Sequence, residues 1–71
     1  MLHYTDNTLN KFMLQHSIDD ILTPVEGELL EYSCNEFTAF YGNGELILES
    51  DTETLRYVVD RIGFTPILVE Y

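Results

Sequence analysis

The chain has 71 residues, 13 Asp and Glu against 3 Lys and Arg, a formal net charge of −10, a 45% hydrophobic share and one cysteine. That length makes a single domain, residues 1–71, and the lone Cys34 excludes an internal disulfide, while His and Cys lack zinc-type spacing. Five Tyr and four Phe make the chain too apolar for disorder, and its charge opposes binding to nucleic acid or to anionic membranes.

Met1 to Tyr4 reads as a short strand or a frayed end. Thr5 or Asp6 is a candidate N-cap for a helix running to His16, with Leu9, Phe12, Met13 and His16 on one stripe. Leu14, Ile18 and Ile21 fall on the opposite stripe, so the helix should break near Ser17. Ser17-Ile18-Asp19-Asp20 then caps a second short helix with acids in its first turn, and Pro24 follows its end at Leu22. After a linker marked by Gly27, Leu29 to Cys34 reads as a strand. The clearest local signal comes next: Phe37 to Tyr41 and Glu45 to Glu49 flank Gly42-Asn43-Gly44, a hairpin with a type I′ turn. In its second strand Leu46 and Leu48 face one way and Glu45, Ile47 and Glu49 the other.

Ser50-Asp51-Thr52-Glu53 has the form of a capping box and predicts a helix to Ile62, with Leu55, Val58, Val59 and Ile62 buried and Gly63 as its left-handed C-cap. Arg56 and Arg61 would lie outside, near Glu53 and Tyr57. Ile67 to Tyr71 is a last strand, parallel to its neighbour after a right-handed crossover. The expected fold class is α+β: a mixed, mainly antiparallel sheet of three to four strands with the helices on one face.

Residues 12–55 hold ten carboxylates and no lysine or arginine: Asp19, Asp20, Glu26, Glu28, Glu31, Glu36, Glu45, Glu49, Asp51 and Glu53. Outside that block, Asp6, Asp60 and Glu70 balance Lys11, Arg56 and Arg61. Candidate chemistry is thin. Cys34 with His16 or His3 could form a thiolate–imidazole pair, but no basic neighbour or helix N-terminus activates it, and a small buried core residue is the expected role. His16 is expected to pack its ring on the first helix. Glu49, Asp51 and Glu53 do not follow the calcium-loop pattern. Gly42-Asn43-Gly44 joins strands and lacks the lysine of a phosphate loop. No catalytic residue, metal or cofactor is expected, and the chain reads as a non-enzyme.

A basic protein is the expected partner. Glu28, Glu31, Glu36, Glu45, Glu49 and Asp51 would supply an anionic surface, with Tyr32 and Tyr41 as apolar anchors. In size and charge the chain is similar to the small acidic inhibitors that phages and mobile elements direct against restriction or CRISPR nucleases, a similarity of type that rests on no motif. Inhibition of a nuclease or another nucleic-acid-binding protein by nucleic-acid mimicry is therefore the leading expectation. The rival is a structural or regulatory homo-oligomer, most simply a homodimer, in which the acids only solubilise. No run approaches the roughly 18 apolar residues of a membrane span, and the first residues lack signal-peptide character. A lone cysteine suits a reducing compartment, so the expected location is cytoplasmic.

Overall fold

A computed structural model describes residues 7–70 of the chain, and the side chains from 8 to 69. The expectations for Met1–Tyr4, for a cap at Thr5 or Asp6 and for Tyr71 lie outside the described residues. The element order is α1 (Asn7–Met13), α2 (Ile18–Leu22), β1 (Leu30–Ser33), β2 (Thr38–Gly42), β3 (Glu45–Glu49), β4 (Thr54–Asp60) and β5 (Thr65–Glu70). The strands form one five-stranded sheet in chain order, every neighbouring pair antiparallel. The fold is α+β, with two short helices against a meander.

The break at Ser17 divides the helical region as its two apolar stripes require. Leu9 and Phe12 are buried and Met13 and His16 half-buried, while Leu14 points to solvent. Helical hydrogen bonding continues from His16 N to Phe12 O at 3.1 Å, and the His16 ring stacks on Phe12 at 4.2 Å. At the start of α2 the Ser17 amide donates to Asp20 Oδ2 at 3.0 Å, which places a carboxylate where the first-turn amides need an acceptor. Ile21 is the fully buried residue of this five-residue helix.

The Asn43-Gly44 turn forms as its sequence demands. Asn43 has φ 53° and Gly44 φ 82°, the paired left-handed conformations of a two-residue hairpin loop. This turn also holds α2. Gly44 N donates to Ile21 O and Asn43 N to Thr23 O, both at 2.9 Å, so two carbonyls at the helix C-terminus find partners. The Asn43 side chain adds two bonds to the linker: Oδ1 accepts from Val25 N at 2.8 Å, and Nδ2 donates to Val25 O at 3.1 Å. Gly42 completes the contact, because a Cβ there would stand 2.7 Å from Val25 Cγ2.

Residues 54–60 are where sequence and structure part. The expected helix is a strand, and the expected parallel crossover is a pair of antiparallel hairpins. Half of a capping box forms, with Glu53 N donating to Ser50 Oγ at 3.3 Å. Ser50 N also donates to Glu53 O at 2.9 Å, and that second bond reverses the chain. Thr54, Tyr57, Val58 and Val59 favour extended backbone, and the burial along β4 alternates: Leu55, Tyr57 and Val59 are buried between more exposed neighbours. Of the expected helical stripe, Val58 is 37% and Ile62 93% exposed. The left-handed residue in the β4–β5 turn is Phe64, φ 53°, and not Gly63.

One face of the sheet thus carries Ala39, Leu46, Leu48, Leu55, Tyr57 and Val59, and on it sit Leu9, Phe12, Ile21 and Phe37. Among the described residues, both helices lie on this face.

Two predictions follow from this packing. In chemical denaturation Leu55→Ala should cost about 2–4 kcal/mol, and Val58→Thr less than about 1 kcal/mol; equal losses would restore the helix. Asn43→Ala should cost about 2 kcal/mol, combining two lost hydrogen bonds with a left-handed alanine, and Asn43→Gly about half of that.

Candidate protein-binding surface

Strand pairing fixes which side chains share the uncovered face. In register across the sheet, Glu31, Phe40, Ile47 and Arg56 form one row, and Glu45 with Val58 and Ile67 another. Ser33, Thr38, Glu49 and Thr54 form a third. Since strand residues alternate between faces, these lie opposite the core. The middle of the face is apolar: Phe40 and Ile47 are half-buried, while Val58 and Ile67 are 37% and 50% exposed. Glu31 and Glu49 are exposed beside them.

Two of the described cations, Arg56 and Lys11, are drawn onto the acidic block. Arg56 donates to Glu45 Oε1 from Nη2 at 2.7 Å and from Nε at 3.2 Å, not to Glu53. Lys11 pairs with Glu36 in the β1–β2 turn. The Arg61 guanidinium lies over Gly44, where an added Cβ would meet its Nη2 at 2.9 Å, and not at Tyr57. Two of the six carboxylates expected to meet a partner, Glu36 and Glu45, are therefore already matched within the fold. Glu28, Glu31, Glu49 and Asp51 are exposed.

Tyr32 and Tyr41 are not outward anchors. Both belong to the helix-covered face, where Tyr32 meets His16 at 4.7 Å and Tyr41 meets Phe12 at 5.5 Å. The Tyr32 hydroxyl donates to Gln15 Oε1 at 3.1 Å. The aromatic ring on the acidic face is Phe40, one position along. Apolar residues run unbroken from Ala39 to Tyr41, and a one-residue change of register exchanges the two faces. Val58 falls in the stretch 50–62 whose pattern predicts a helix, and without β4 the last strand lacks the neighbour that sets the face of Ile67.

At one end of the sheet the β1–β2 and β3–β4 turns lie side by side. Cys34, Glu36, Glu49 and Asp51 line a shallow open depression of about 270 Å³ there. Cys34 is exposed, contrary to its expected burial: β1 stops at Ser33, and the Cys34 amide bonds Phe37 O across the turn at 3.0 Å. Among the described residues no group of three or more His, Cys, Asp or Glu side chains is arranged to hold a metal ion. No described helix is long and apolar enough to cross a membrane. Glu26, Glu28, Asp19 and Asp20 belong to α2 and its linker, so the acidic block is split between two parts of the surface.

Comparison with protein-family models, curated proteins and solved structures finds no match to the chain.

The exposure of Cys34 has a direct check. Iodoacetamide should label it in the native protein at a rate within several-fold of that in urea, and Cys34→Ser should leave stability within about 0.5 kcal/mol. Native protection would return the residue to the core.

Proposed function

We propose that this chain is a non-enzymatic binding protein that occupies the basic surface of a nucleic-acid-binding protein or nuclease. The observation that carries the reading is the uncovered sheet face, where Phe40, Ile47, Val58 and Ile67 lie among Glu31, Glu45 and Glu49. Apolar residues supply area that excludes water, and the carboxylates select a cationic partner and speed encounter. Five strands at ~4.8 Å spacing and five residues at ~3.4 Å make a face of about 400 Å². The described carboxylates of these rows, Glu31, Glu45 and Glu49, thus take about 140 Å² each, or about 200 Å² per net charge after Arg56 is subtracted. Duplex DNA presents very roughly 100 Å² of cylinder per charge. The face comes within about twofold of that density, which supports competition for a basic nucleic-acid site, with the apolar centre supplying contacts that a phosphate backbone lacks.

A second reading has its own support. Ile67, Leu68 and Val69 of β5 are 50%, 40% and 49% exposed, and apolar side chains left open on a terminal strand suit side-chain contact with a second copy. A homo-oligomer would use that contact, leaving the acids as solubilising charge.

Capture from a cell lysate separates the two. At about 50 mM salt the chain should retain basic nucleic-acid-binding proteins and release them near 500 mM. Glu49→Lys with Asp51→Lys should lower retention at least about tenfold, as two reversed contacts of ~1 kcal/mol would. Salt-independent capture, or a tight dimer by solution mass that captures nothing, would favour the homo-oligomer.

A further inference from the structure

Among the described residues the sheet ends at β1 and β5, and the two edges are not equivalent. At β5 the strand begins with Thr65-Pro66, and the register shifts between Arg56 and Tyr57, so that Glu70 and Leu68 oppose adjacent β4 residues and Val69 is left over. Proline and a bulge are devices that keep an edge from being extended. At β1 the register with β2 is continuous from Leu30 to Ser33. Antiparallel pairs alternate between those that exchange both backbone bonds and those that exchange none. Cys34 N donates to Phe37 O, which makes Cys34 and Phe37 a bonded pair, and Tyr32 with Ala39 and Leu30 with Tyr41 the next two. The N–H and C=O groups of Glu31 and Ser33 therefore point away from β2, to the open edge. Among the described residues no strand lies beyond β1.

We propose that β1 receives an extended, basic segment of the partner as a sixth strand, bonded through the main chain of Glu31 and Ser33. The inference rests on the reading that the chain binds a basic protein, and it supplies the docking mode. Charge complementarity identifies the occupant. A residue placed opposite Glu31 has its side chain beside that carboxylate on the uncovered face, where lysine or arginine is the favourable cross-strand pair. Its neighbours along the segment fall on the other face, beside Leu30, 45% exposed, and Tyr32; apolar side chains suit them. The incoming segment thus carries a basic residue opposite Glu31 between apolar neighbours. A second copy of this chain would bring Glu31 and a net charge of −10 against the same kind of edge, so the edge discriminates against self-pairing.

The test uses the full chain, isotope-labelled for amide NMR, with a short peptide alternating Val and Lys as probe. Binding should slow exchange of the Glu31 and Ser33 amides at least about tenfold, and a Val/Glu peptide should not bind. N-methylation of alternate peptide amides, on the bonding side, should abolish binding with the protein unaltered, and Glu31→Lys should reverse the preference toward the Val/Glu peptide. Absence of Val/Lys binding, equal binding of both peptides, or binding indifferent to N-methylation would each overturn the edge assignment. Shifts confined to Phe40, Ile47 and Glu49 would also overturn it, while leaving the broader proposal that the open face binds a basic protein in place. That broader proposal fails separately, in the lysate capture.

Discussion

The Asn43-Gly44 turn makes four hydrogen bonds to one short stretch of chain, from Ile21 to Val25. A five-residue helix has no stability of its own, since nucleation costs more than one turn of hydrogen bonds returns. Here the amides of a hairpin loop stand where the next helical turn would have been, and the Asn43 carboxamide holds the main chain of Val25 on both its polar groups. The same loop serves β4, because Val59 N donates to Gly44 O at 2.9 Å. The hairpin tip therefore positions the helical cover on one side and the fourth strand of the meander, β4, on the other.

That cover is one-sided, and the exposed chemistry follows from it. A chain of this size has too few large residues to bury both faces of five strands. Among the described residues, ten buried apolar side chains collect in a single cluster between the helices and the sheet. The opposite face is left with Phe40, Ile47, Val58 and Ile67, and with carboxylates that cannot enter a core. Lys11 and Arg56 fold back onto Glu36 and Glu45. These pairs are exposed enough to contribute little stability. Their consequence is spatial: they neutralise part of the block and leave Glu31, Glu49, Asp51 and Glu53 among the exposed carboxylates of the sheet and its adjoining turn.

Much of this arrangement can be read from local sequence. The hairpin, the inward Leu46 and Leu48, the break at Ser17 and the α2 cap all depend on residues within a few positions of one another. Residues 50–62 do not. Leu55, Val58, Val59 and Ile62 satisfy a helical period, while Leu55, Tyr57 and Val59 satisfy an extended one. A serine three residues before a glutamate donates and accepts equally well at a helix start and in a tight turn. What decides between them is pairing with β3 and β5, which no window of the sequence contains. The misplaced aromatics have a related origin. Tyr32 sits opposite Ala39 under α1, and only the register distinguishes that face from the one bearing Phe40.

The sheet face opposite the core is left open because α2 and its linker are held to the other side, so the strength of that tether is the quantity to measure. Native-state hydrogen exchange of the Asn43 and Gly44 amides reads it directly. With the turn as the structural anchor, both amides exchange only through global unfolding, with the same opening free energy as Leu46 and Leu48 in the core. Exchange of Asn43 and Gly44 through a low-energy local opening, with the β3 core still protected, would show that the helices are held by something else.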